Sequence, residues 1–282
     1  MKVCDFIRPA SLAEAREALK NLGSHGMALA GGTALHFLLD EAPVTAVDLT
    51  RLGMSYIREE DGWYRIGATT PIADIQRHRA PRWALHEICR RMATHQIRNV
   101  STIGGNIARV FPWADLPVVL LAMGAEMAVE GDAGEELVGA DAFFAEQPAK
   151  RFEGSGSLLT AVKVPALAAH HGFGSVKVVR TSAAFSMATL AVKLELDGDG
   201  IASARVAAGA ALPFPRRLPE VEAALAGKEA GEAAFAEAAK VAEGAAPWRG
   251  KEGMSAEYSK HLAGVALRDA LERAARFARE RE

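Results

Sequence analysis

Two stretches decide how this chain is read: Ala30-Gly31-Gly32-Thr33-Ala34-Leu35 and Ile97-Arg98-Asn99-Val100-Ser101-Thr102-Ile103-Gly104-Gly105-Asn106-Ile107-Ala108. In the first, the apolar run Met27-Ala28-Leu29-Ala30 has the character of a buried strand and ends in a diglycine. In the second, 73 positions later, an apolar residue again runs into a diglycine. A diglycine after a strand lets the backbone take positive φ and removes the Cβ that would hold a ligand away, so main-chain amides can point at phosphate oxygens. Thr33 and Asn106 follow directly and add side-chain donors. One such turn is ordinary; two in one chain, each with a polar residue next in line, point to a phosphate-bearing ligand. The fingerprint Gly-x-Gly-x-x-Gly is absent, and so is Gly-Lys-Ser/Thr, which argues against a Rossmann or NTPase site. The pair suits a long ligand with a pyrophosphate in its middle, held between two subdomains.

Working outward, Ser11-Leu12-Ala13-Glu14 is a capping box that predicts a helix over 12–22. Ala34 to Leu39 reads as a short helix, Val44 to Leu49 and Trp63 to Ala68 as strands, and Thr70-Pro71 as a helix start. Helices are predicted over 84–92 and 114–123. From Ala188 the period changes to two, with Leu190, Val192, Leu194 and Leu196 on one face and Thr189, Lys193 and Glu195 on the other. Asp197-Gly198-Asp199-Gly200 is hairpin chemistry, with a return strand from Ile201 to Ala210. The tail is helical over Glu229 to Val241 and again after Ser255, where Leu262, Val265, Ala266, Ala270, Leu271, Ala274 and Phe277 mark one face. A boundary is expected between Pro165 and Gly174, before the antiparallel unit.

The chain's 282 residues are enough for two or three compact units. Thirty-three basic against thirty-five acidic residues leave a net charge of -2, so no basic field draws nucleic acid or an anionic membrane. The start of the chain lacks the apolar core of roughly 7–15 residues that a signal peptide needs, and Leu116 to Val129 is broken by Pro117, Gly124 and Glu126. The expectation is a cytoplasmic protein with no membrane span. Two cysteines, Cys4 and Cys89, are too few for an iron–sulfur cluster. His86, Cys89 and His95 lack a fourth ligand at zinc spacing, Ser155 and Ser157 do not form a nucleophile elbow, and Arg90, Arg91 and Arg98 read as a solvated face. No metal site and no catalytic side chain are expected.

On the two diglycine stretches the sequence resembles the FAD-binding medium subunits of the molybdenum hydroxylases, the carbon monoxide dehydrogenase and xanthine dehydrogenase flavoproteins. Asp115-Leu116-Pro117, Ala204-Arg205-Val206-Ala207-Ala208-Gly209 and Ser255-Ala256-Glu257-Tyr258 extend the likeness to nearly the whole chain. The resemblance implies an α+β fold: a two-subdomain FAD-binding domain of the vanillyl-alcohol-oxidase (PCMH) type, over 1–57 and 58–167, then a C-terminal α+β domain like that of the CO dehydrogenase flavoprotein, over 168–282. It implies that Ala30, Gly31, Gly32, Thr33, Ala34 and Leu35 wrap the pyrophosphate of FAD from one side, and Thr102, Gly104, Gly105 and Asn106 from the other. Asp115 would lie near the ribose or adenine end. Phe185 occupies a position where relatives carry an aromatic or acidic residue, and its ring offers the flavin no hydroxyl.

By the same resemblance the chain is the electron-transfer subunit of a molybdenum hydroxylase, with FAD on this chain and [2Fe-2S] clusters and molybdopterin on an iron–sulfur small subunit and a molybdopterin large subunit. The assembly would be a dimer of heterotrimers. The competing readings are a self-contained FAD-dependent oxidase and a non-catalytic FAD-binding protein. Against the first, only about 115 residues follow the boundary, little for a substrate cap.

Overall fold

Ser11 caps the first helix: its hydroxyl accepts from the Glu14 amide at 3.1 Å, and the Glu14 carboxylate accepts from the Ala10 amide at 2.8 Å. The exchange satisfies donors that a helix start leaves open. The computed structural model describes residues 2–38, 42–81, 83–250 and 253–280. Its elements begin with β1 (Lys2–Ile7), α1 (Leu12–Leu22), β2 (Gly26–Leu29), β3 (Pro43–Asp48), β4 (Ile57–Glu60), β5 (Trp63–Gly67) and α2 (Ile72–Arg77). Four helices follow: α3 (His86–Arg91), α4 (His95–Val100), α5 (Ile103–Ile107) and α6 (Leu116–Met123). Then come β6 (Glu126–Gly131), β7 (Gly134–Gly139), α7 (Ala140–Phe143), α8 (Ala149–Phe152) and β8 (Leu158–Pro165). The last third holds β9 (His171–Val178), β10 (Ala188–Asp197), β11 (Gly200–Gly209), β12 (Arg216–Arg217), α9 (Pro219–Leu225), α10 (Glu232–Gly244) and α11 (Ala256–Arg279).

Contacts divide the chain into two units that interleave in sequence. The first comprises Met1–Arg77, Thr94–Val110 and Glu126–Val164; the second comprises His78–Ala93, Phe111–Ala125 and Pro165–Glu282. The first unit holds a three-stranded parallel sheet in the order β1-β3-β2 and a five-stranded sheet in the order β4-β5-β8-β6-β7. Ala15 and Leu19 of α1 pack with Val47, Leu49, Met54 and Leu158.

The second unit is built on the antiparallel sheet β12-β11-β10-β9. Leu190, Val192, Leu194 and Leu196 of β10 share one core with Ala266, Leu267, Ala270 and Leu271 of α11, as period-two alternation requires. The opposite face of β10 departs from that alternation, since Thr189 and Ala191 are also fully buried. The reason is α6, which packs on β10 and β11 and is buried at every position from Leu116 to Met123. This explains why α6 is apolar all round: it is a core helix. Among the described residues no helix is long and apolar enough to cross a membrane.

Three local expectations change. The helix expected over Ala34 to Leu39 is a single 3-10 turn, Leu35–Phe37, held by bonds from the Leu35 amide to Gly32 and from the Phe37 amide to Ala34; Leu39 lies outside the described residues. On α11, Ala266, Ala270, Leu271 and Ala274 are buried as expected, but Val265 is 45% exposed, and Ala263, Leu267 and Ala278 complete the buried stripe. Small residues are needed there because β9 lies so close that a Cβ on Gly174 would sit 2.0 Å from the Ala270 carbonyl oxygen. Finally, Gly104 and Gly105 lie inside α5 rather than in a turn, and neither has positive φ.

Candidate flavin-nucleotide site

The first glycine loop leaves β2 at Leu29 and turns at Gly32, whose φ of +67° is the left-handed conformation that favours glycine. Gly31 answers a different demand. A Cβ there would lie 2.0 Å from the carbonyl oxygen of Val100, so the loop presses its backbone directly onto the second glycine stretch, ahead of its diglycine. Thr33 Oγ1 and Ser101 Oγ, 2.9 Å apart, close the same contact with side chains. The two stretches that the sequence places far apart are therefore neighbours. Among the described residues, the amides of Gly31, Gly32, Thr33 and Ala34 donate to no protein acceptor. Consecutive free amides on a turn are an anion-binding concavity.

The second stretch is arranged otherwise. Thr102 Oγ1 accepts from the Gly105 amide at 3.1 Å, and the amides of Ile103, Gly104 and Asn106 go to the carbonyls of Thr70, Ala68 and Thr102. Its amides are spent within the fold. Gly104 is glycine because a Cβ would meet the Ala68 carbonyl oxygen at 2.6 Å, whereas Gly105 is exposed and a Cβ would meet only Thr102 Oγ1, at 3.0 Å. What this stretch offers a ligand is the bare face of Gly105 and the side chain of Asn106.

Among the described residues, two polar atoms beside it are buried without a protein partner, Asn106 Oδ1 and Thr69 Oγ1. Buried polar groups are nearly always hydrogen-bonded, so such atoms call for a ligand or ordered water. Thr69 is a residue that sequence reading passes over. The Thr69-Thr70 pair was its only trace, and Thr70 is accounted for by a two-way exchange with the backbone of Tyr56.

Asp115 and Phe185 belong to the second unit, and the glycine stretches belong to the first. The Asp115 carboxylate is buried and accepts from Lys177 Nζ at 2.9 Å, from Thr189 Oγ1 at 2.6 Å and from Ser186 Oγ. Phe185, 55% exposed, stacks on Trp113 with ring centroids 4.5 Å apart, and Trp113 stacks on Phe111 at 5.2 Å. The remaining polar candidates have local roles: His86 Nδ1 lies 2.7 Å from Arg79, Cys89 is fully buried, Arg90 pairs with Glu87, and Arg98 donates to Gln76. Among the described residues no three His, Cys, Asp or Glu side chains group as a metal site would need.

The residues present fit FAD. Free amides suit its pyrophosphate, a bare glycine face permits close approach, and unpartnered polar atoms beside it match the hydroxyl-bearing chains that flank the pyrophosphate. Residues 2–167 match the FAD binding domain in molybdopterin dehydrogenase, and residues 176–274 match the CO dehydrogenase flavoprotein C-terminal domain. The chain is 32% identical over 280 residues to the carbon monoxide dehydrogenase medium chain of Afipia carboxidovorans, covering 96% of each. It is 32% identical over 235 residues to the glyceraldehyde dehydrogenase medium chain of Sulfolobus acidocaldarius, covering 79% of this chain and 81% of that one. Its structure superposes on carbon monoxide dehydrogenase from Hydrogenophaga pseudoflava, in a form that lacks the Mo-pyranopterin moiety of the molybdenum cofactor, with a TM-score of 0.90, 30% identity and 97% coverage of both chains. With both domains matched in order over nearly its whole length, the chain belongs to the family of FAD-binding medium subunits of the molybdenum-dependent dehydrogenases.

Proposed function

We propose that this chain is the exit subunit of a molybdenum hydroxylase, receiving electrons from a [2Fe-2S] subunit and passing them to an external acceptor, while substrate is oxidised on a molybdopterin subunit. The observation that carries the reading is the run of free amides from Gly31 to Ala34, pressed against Val100 of the second glycine stretch. When bound, FAD supplies an electron store that fills and empties in one- or two-electron steps. The chain's own part is to hold it. Gly31, Gly32, Thr33 and Ala34, flanked by Ala30 and Leu35, donate to the pyrophosphate; Gly105 and Asn106 face it from the opposite side, held in place by Thr102 and Gly104. Phe185 is assigned to the flavin ring, whereas the Asp115 carboxylate, expected at the ribose or adenine end, is already met by Lys177, Ser186 and Thr189. Two cysteines cannot supply the thiolates of a cluster, so clusters belong to a partner. A cytoplasmic dimer of heterotrimers completes the proposal.

Rapid mixing of the native complex with its substrate, before and after removal of FAD, tests the order of transfer. Cluster bands should reduce in both preparations, and turnover with a flavin-dependent acceptor should stop only in the depleted one. Reduction of FAD by substrate in the isolated chain would overturn the relay in favour of a self-contained oxidase. Failure of the clusters to reduce without FAD would place FAD upstream of them.

A further inference from the structure

Hydrogen-bond polarity separates the two glycine stretches. The first presents donors, the free amides of Gly31 to Ala34. The second has spent its amides on Ala68, Thr70 and Thr102, and the atom it leaves buried and unpartnered on Asn106 is the carboxamide oxygen, an acceptor. A pyrophosphate oxygen only accepts and cannot satisfy that atom. The hydroxyls of the ribityl and ribose chains donate as well as accept, and they are the donors closest to the pyrophosphate in FAD.

Thr69 strengthens the point independently. It is 6% exposed, and its hydroxyl has no protein partner among the described residues. The residues on either side of it, Ala68 and Thr70, accept from Gly104 and Ile103, which fixes Thr69 beside the start of α5. Its neighbours' side chains are occupied, Thr70 with Tyr56 and Thr102 with Gly105. A buried hydroxyl costs stability unless it is bonded, and a valine of the same shape would avoid that cost.

We infer that Thr69 and Asn106 form a polyol-hydroxyl site: Asn106 Oδ1 accepts from a hydroxyl of the ribityl or ribose chain, and the Thr69 hydroxyl bonds the same chain, leaving the pyrophosphate to the first glycine stretch. The inference rests on the FAD reading and adds Thr69 to it as a binding residue.

The test is titration of the flavin-free full chain with FAD, FMN and ADP, read by flavin fluorescence and by calorimetry, beside thermal unfolding without ligand. Thr69→Val should raise the ligand-free Tm, because an unsatisfied polar group is removed, and weaken FAD about tenfold. Thr69→Ser should restore binding. Asn106→Asp keeps the acceptor and should bind FAD more tightly than Asn106→Ala. If the ribityl chain is the partner, Thr69→Val weakens FMN and spares ADP; if the ribose is, the reverse holds. The inference is overturned if Thr69→Val leaves FAD affinity unchanged, whatever its Tm. It is also overturned if Asn106→Asp binds more weakly than Asn106→Ala, the result expected of a side chain facing phosphate. Should Thr69→Val fail to fold, Thr69→Ala against Thr69→Ser gives the same comparison. A wild-type chain that binds no FAD would instead defeat the FAD reading itself.

Discussion

Asp115 Oδ2 and Lys177 Nζ lie 2.9 Å apart with only 4% of either side chain exposed, joining the start of α6 to β9 inside the second unit. Ser186 and Thr189 donate to the other carboxylate oxygen, so the charge is satisfied from three directions. Such a pair is hard to break, because removing one partner strands the other in a low-dielectric interior. Lys177→Met is expected to cost the second unit about 3–5 kcal/mol, whereas Lys177→Met with Asp115→Leu should recover most of it. Urea unfolding followed by tryptophan fluorescence measures both. A loss below about 1 kcal/mol for the single variant would mean the pair is solvated and not buried.

Gly31 and Gly105 should respond in opposite ways to the same added methyl group. Gly31→Ala drives a Cβ to within 2.0 Å of the Val100 carbonyl oxygen and must part the two glycine stretches, with an expected loss of about 1–3 kcal/mol. Gly105→Ala meets only Thr102 Oγ1 at 3.0 Å and replaces glycine inside α5, so stability should hold or rise by about 0.5–1 kcal/mol. Its FAD affinity should nevertheless fall tenfold or more, because the new methyl stands on the exposed face. Unchanged FAD binding in Gly105→Ala would remove this glycine from the site.

His171 supplies a pH dependence with a defined sign. Burial lowers its pKa below the ordinary 6.5, and Lys193 lowers it further, against the opposing pull of Glu195. A histidine depressed in the folded state contributes stability that is present above the unfolded value and lost as pH falls from there through the folded value. The parent chain should therefore lose stability below pH 6.5 more steeply than His171→Asn, with the two alike near pH 8. Parallel stability curves from pH 8 to 5 would contradict this assignment.

Phe185 stands on an aromatic stack rather than in a core. Truncating it to alanine removes a ring that is 55% exposed, so unfolding should change by no more than about 0.5–1 kcal/mol. If the ring meets the flavin, Phe185→Ala should alter flavin fluorescence quenching and affinity, and Phe185→Tyr should restore both. A variant indistinguishable from the parent in both readouts would take Phe185 out of the cofactor site.

The capping box at Ser11 to Glu14, the alternation along β10 and the hairpin at Asp197 to Gly200 were all readable because each depends on residues within one or two turns of one another. The pair of diglycine stretches was readable for the same reason, though what each does was not. They look alike in sequence, yet Gly32 takes positive φ while Gly104 and Gly105 sit in a helix, since the deciding neighbours of the second stretch are Ala68 and Thr70. The face of α11 departs from simple periodicity at Val265, because periodicity alone does not show that β9 approaches closely enough to require alanine.

By itself, then, the amino-acid sequence determined the kinds of elements, the hairpin, the two glycine motifs and, through them, the family. Those rest on φ preference, hydrophobic period and turn chemistry, which act over a few residues. Only the tertiary structure decided that the Asp115 carboxylate is met by residues 62, 71 and 74 positions away, that Gly31 lies on Val100, and that Thr69 and Asn106 hold buried polar atoms without partners. Hydrogen-bond satisfaction and burial belong to the folded neighbourhood, and no local pattern encodes which distant group will arrive to complete them.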